Sequence, residues 1–306
     1  MKCIFIVFAL LFITESTQAQ GSWKVEPTPS LQHLYAVHFV DLNNGSACGT
    51  GGAIFHTTDG GHNWIDQKSG EDNQLKGVFF PTRTRGFVVG RDGILLRTTN
   101  GGQGWQALKS PSKLQPLLAA CFTDSLHGTI TGWYGTIIRT TDGGDHWDKQ
   151  LTEVSAFLRS IVFSSEGIGL IVGERGCLLR TSDSGTHWNL VPSSTTNNLT
   201  GVSFAGNSIA IAVGDKGVIV RSTDGGLRWD CVETMTDRNL RGVSFSSKIG
   251  TAAGEGGTIL VSTDAGLTWK DESAMSGVHF LAVQQIDKKH AVVVGLNGTI
   301  FRKELP

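Results

Sequence analysis

Apolar residues along this chain fall into short runs bounded by glycine, asparagine and aspartate, and the same grouping returns about every 41 residues. Three patterns mark each return. The first is Leu-x-x-Val-x-Phe, clearest at Leu34–Phe39, Leu75–Phe80, Leu199–Phe204 and Leu240–Phe245. The second is Gly-x-x-Gly-x-[Ile/Leu], whose first glycine falls at 49, 90, 132, 173, 214, 254 and 295. The third is [Ser/Thr]-x-Asp-x-Gly-x-x-Trp, whose central residues are Asp59, Asn100, Asp142, Asp183, Asp224 and Asp264.

Each unit reads as four short strands. Strand A is Leu-x-x-Val-x-Phe, strand B is the apolar run into the first glycine, strand C follows the second glycine, and strand D begins at the tryptophan. Four-stranded units of about this length predict the blades of a β-propeller, an all-β fold, and seven glycine pairs predict seven blades. The seventh unit ends after strand C, whereas Trp23 stands one period before Trp64. The segment Trp23–Glu26 is therefore expected to pair with the C-terminal blade as its outer strand, closing the ring and protecting its edges.

The first residues follow another logic. Met1-Lys2, the apolar run Cys3–Ile13 and the small-x-small site Thr17-Gln18-Ala19 predict a secretory signal peptide over 1–19, leaving 20–306 as one propeller. No other stretch is apolar enough for a membrane anchor, so an exported, soluble monomer is expected, periplasmic or extracellular.

Composition narrows the chemistry. With 26 Lys and Arg against 27 Asp and Glu the net charge is −1, which argues against a nucleic-acid partner. At 39% hydrophobic the chain can bury a full core, and 40 glycines imply many tight turns. Cys48, Cys121, Cys177 and Cys231 lack metal-site spacing and are expected as small buried thiols, a disulfide being the alternative. Arg97, Arg139, Arg180, Arg221 and Arg302 share one repeated position at the end of strand C, suited to bonding the turns of neighbouring blades, with an anion-clamping ring as the alternative. No metal or cofactor is expected.

The third pattern resembles the Asp-box, or bacterial neuraminidase repeat, at the turn from strand C to strand D. Its short polar side chains can accept N–H groups of their own turn, so a structural role is expected. Sialidases share this box, but they have six blades, an Arg-Ile-Pro motif, an arginine triad and a Tyr/Glu nucleophile pair; here the units number seven, Arg-Ile-Pro is absent, and Tyr35 and Tyr134 are the only tyrosines. Xyloglucanase-type glycosidases pair two such propellers around two acidic catalysts, and this chain holds one. A glycoside hydrolase or carbohydrate-binding propeller is therefore the alternative reading, and no catalytic residue is assigned.

The blade at Val89–Trp105, repeated at Val172–Trp188 and Val213–Trp229, is similar to that of the photosystem II assembly and stability factors, over essentially all of residues 20–306. The resemblance implies a non-catalytic scaffold that holds a protein or peptide partner, such as an unassembled membrane-protein subunit, on the lumenal or periplasmic side. In propellers the B–C turns ring one mouth of the central channel. The turn Trp133-Tyr134 is the one aromatic pair among these turns, and with Arg91, Arg175, Arg159 and Arg241 it forms the candidate partner-binding surface.

Overall fold

The computed structural model describes residues 23–112, 114–273 and 277–304, so the expected export signal lies outside the described residues. Seven four-stranded antiparallel sheets form a ring. Strands A of blades one to seven are Leu34–Phe39, Leu75–Phe79, Leu117–Phe122, Leu158–Phe163, Leu199–Phe204, Leu240–Ser246 and Phe280–Gln285. Each lies innermost in its sheet and packs against strands A of both neighbours. In blade seven the outer strand is Lys24–Val25, paired with Arg302 and Phe301, and the Glu26 N–H extends the ladder to the Ile300 carbonyl at 3.0 Å. Closure runs through the N-terminal strand, as the displaced tryptophan predicts.

Strands B carry five consecutive buried residues in most blades because neighbouring sheets cover both of their faces. The core is correspondingly split into layers between blades. One layer joins Phe87 and Val89 of blade two to Phe122, Ile130 and Trp147 of blade three. The phenylalanine at the end of strand A, or just past it in blade two, and the box tryptophan, far apart in the repeat, meet edge to face in five blades, as in Phe39–Trp64 with centroids 5.8 Å apart.

The first glycine of each pair is required by crowding. A Cβ at Gly49 would stand 1.8 Å from the His33 carbonyl, and one at Gly173 would stand 2.3 Å from that of Phe157. That carbonyl accepts the N–H of the next turn residue, Thr50 or Glu174, so strand A enters each blade pinned to its own B–C turn.

The cysteines depart from expectation at one position. Cys48, Cys121 and Cys177 are buried thiols, but Cys231, on the short outer strand of blade five, is exposed; all four are free.

Candidate partner-binding site at the channel mouth

The antiparallel order places A–B and C–D turns on one face of the ring and B–C and D–A connections on the other. The six boxes, at C–D turns, therefore lie opposite the B–C mouth. Their geometry is structural. In the blade-five box the Ser222 hydroxyl donates to Asp224 at 2.9 Å and accepts the buried Gly226 N–H at 2.9 Å, while Asp224 accepts the N–H groups of Leu227 and Arg228. Thr57 and Asp59 repeat this, and slight desolvation of Asp59 is outweighed by its bonds to Asn63, Thr57 and His62, which take its pKa down to about 2. Asp142, Asp183 and Asp264 are held below the usual carboxylate range by similar bonds. Asn100 keeps the geometry with its amide oxygen, accepting Thr98 and Gly104.

Four of the five strand-C arginines bond the next blade. Arg180, Arg221 and Arg302 donate to the box-turn carbonyls of Gly225, Ala265 and Gly60 at 2.8, 2.9 and 3.0 Å, and Arg97 pairs with Asp145. These arginines are structural ties.

The mouth itself is built by a register slip that every blade shares. In blade one Leu34 pairs with Gly49 and Ala36 with Cys48, leaving Tyr35 as an extra residue between them. The same bulge recurs in the other six blades and leaves out Lys76, Leu118, Arg159, Thr200, Arg241 and Leu281. A bulge re-aims its extra side chain, and all seven line one cup of about 650 Å³ around the channel axis. Below them strands A converge on small residues: a Cβ at Gly201 would lie 3.1 Å from the Gly242 Cα.

The remaining wall comes from three B–C turn residues, Trp133, Asp215 and Glu255, and from Phe157, which precedes strand A of blade four. Trp133 is half-buried and stacks on Phe157, with centroids 4.4 Å apart and planes 4° from parallel. Tyr134 is 58% exposed and meets Phe157 edge-on at 5.3 Å. Phe157 was not a sequence candidate; the only signal for it is that its counterparts are polar or proline, namely His33, Gln74, Pro116, Asn198, Asn239 and His279.

The candidate arginines separate by charge partner. Arg159 pairs with Glu174 at 2.8 Å, and Arg241 binds both Asp215, at 3.1 Å, and Glu255. The amide nitrogens of Asn198 and Asn239 donate to Asp215 and Glu255, at 2.8 and 3.0 Å. For Glu255 the burial effect, which raises the pKa, is outweighed by Arg241 and Asn239, so the group sits below its ordinary value. A general acid for glycoside cleavage needs the opposite shift. Arg91 is exposed but lies close enough to lower the pKa of Lys76 and to oppose the rise that burial gives Tyr35. Arg175 does not join the cup. Its side chain lines a separate groove of about 1020 Å³ on blade four, bounded by Val154–Ala156 and Leu190–Thr196.

Fold and site together define a single-ring seven-bladed propeller, locked by Asp-boxes and opening on an amphipathic cup. The chain belongs to the family described as photosynthesis system II assembly factor YCF48, which its sequence matches over residues 15–117, 114–199, 151–244 and 185–304. Two solved structures share the fold at 20% identity. One is described as YCF48 bound to D1 peptide, with a TM-score of 0.78 over 95% of this chain and 100% of that one. The other is YCF48 from Cyanidioschyzon merolae, with a TM-score of 0.77 over 92% and 99%. No curated protein matches the sequence significantly.

Proposed function

We propose that this protein is an exported, monomeric, non-catalytic peptide-binding propeller that holds an unassembled membrane-protein subunit during assembly. The reading rests on family membership and on the peptide named with a protein of the same fold. The observation that carries it is the cup itself. Trp133, Phe157, Leu118 and Leu281 offer an apolar wall beside charged and hydroxyl groups, in a depression open to solvent at the ring's centre. Such a mixture suits a polypeptide, whose side chains alternate in character and whose backbone takes hydrogen bonds. Family resemblance and the leader-like residues 1–19 support a periplasmic, extracellular or lumenal location.

The direct test is capture of heptapeptides from a randomised synthetic library by the immobilised, folded protein. Selection of a consistent motif, lost in a Trp133→Ala/Phe157→Ala variant, is the expected result. Equal retention by that variant would place the binding face elsewhere, and failure of the native protein to select any peptide would reject the reading.

A further inference from the structure

The cup's charges do not balance, and the excess is local. Three cations line it, Lys76, Arg159 and Arg241, against two carboxylates, Asp215 and Glu255; Arg91 stands on the adjoining B–C turn of blade two and Glu174 on that of blade four. On the side of blades four to six every carboxylate is joined to Arg159 or Arg241, so those arginines are already neutralised. On the side of blades one and two, Lys76 and Arg91 have no carboxylate within ion-pair distance among the described residues. The Lys76 ammonium instead stands 3.4 Å above the centre of the Tyr35 ring. A cation over an aromatic face remains partly desolvated and keeps its capacity for a full anionic partner. Burial first, and then the Arg91 and Arg159 charges, push Lys76 down to about 8. Proximity of like charges in a wall is costly unless an anion enters between them.

We propose that Lys76 and Arg91 form an anion subsite that receives a carboxylate of the bound peptide while the Trp133–Phe157 wall across the cup receives an apolar side chain. The inference rests on the peptide-binding reading and adds the chemistry of the ligand. A net charge of −1 for the whole chain makes the cationic corner a local feature rather than part of a general basic surface. The carboxylate comes from an aspartate or glutamate side chain or from the peptide's C-terminus.

Two heptapeptide libraries on beads, one with free C-termini and one amidated, separate these sources. Enrichment of Asp and Glu in the amidated library identifies the side chain; acid-independent selection confined to the free-terminus library identifies the C-terminus. Either supports the subsite. Recovery of peptides with no preference for a carboxylate overturns it and leaves peptide binding standing, whereas recovery of none removes both. For a selected acidic peptide, replacing its carboxylate by the amide should weaken binding at least about tenfold to the native protein and about equally little to Lys76→Met. The exposed Arg91→Gln variant gives a second reading should Lys76→Met fold poorly. Equal discrimination of acid and amide by the native protein and both variants overturns the proposal.

Discussion

Trp133 and Phe157 lie parallel at 4.4 Å although they belong to different blades, the first to the B–C turn of blade three and the second to the entry of strand A in blade four. Each is therefore held by a neighbour that does not belong to its own sheet. Replacing Phe157 by Ala should free the indole and cost about 2 kcal/mol of stability, the scale of a lost, partly buried aromatic contact. Peptide capture should fall about tenfold or more, since a central aromatic anchor is removed. Thermal melting with binding measured on the same sample checks both, and unchanged capture would take the stack out of the interface.

Tyr134 separates function from stability more cleanly. Its φ of 53° lies in the left-handed region, where blades one and six carry Gly51 and Gly256. Tyr134→Gly should leave stability unchanged or raise it by up to about 1 kcal/mol, because the turn already has the backbone that glycine adopts freely. The same change strips the exposed ring from the rim. Weaker peptide capture from a protein that melts no earlier is the expected outcome.

The blades, their number and the closure were legible because they rest on repetition: glycines forced by crowding, hydroxyl–carboxylate turns and a displaced Trp23. The cup was legible only in part. Arg159, Arg241, Trp133 and Tyr134 stood at repeated positions and could be placed at the mouth. Phe157 stands one residue outside the strand motif, and a single phenylalanine carries no periodic signal. The bulge was equally silent, since an extra residue in strand A leaves the spacing of the motif unchanged and shows itself only in the pairing of Leu34 and Ala36 with strand B. Nor does the sequence show that Arg159 and Arg241 are neutralised, because their carboxylates come from B–C turns at 14 to 26 residues' distance.

A pH effect follows from how the innermost strands are tied together. The Phe80 N–H donates to His38 Nδ1 at 3.3 Å, and Phe245 and Phe39 donate likewise to Ser203 and Gln284, at 3.0 and 2.6 Å. His38 must be neutral to accept, and burial lowers its pKa to about 4. The unfolded chain then binds the proton more readily, so this stabilisation is complete above the unfolded value of about 6.5 and is lost as pH falls toward 4. His38→Gln retains an acceptor, as Gln284 does, and should flatten the stability profile between those values. The box carboxylates contribute at lower pH, with Asp59 losing its share between about 3.8 and 2. Denaturant titrations from pH 7 to 4 test this; an identical slope in native and variant proteins would assign the loss to other groups.

The closure seam gives the sharpest stability prediction. Lys303, at the end of strand C in blade seven, is 4% exposed and bonds Glu272 of blade six, with its ammonium 5.9 Å from the ring centre of Trp23. Backbone pairing of the closing strand covers Lys24 and Val25 with one further bond from the Glu26 N–H, so the side chains around it carry much of the joint. Glu272→Gln leaves the Lys303 charge buried without a counterion and should cost about 3 kcal/mol, the lower end for breaking such a pair. Lys303→Met with Glu272→Gln removes the orphan charge and keeps the stem that packs beside Trp23, so most of that loss should return. Deleting Trp23–Glu26 removes the whole strand and exposes the edge at Phe301 and Arg302, and aggregation on heating should accompany a steep drop in melting temperature. Urea melts of the single, double and truncated variants decide the matter: a truncated ring as stable as the native one would mean that the seam does not hold the ends together.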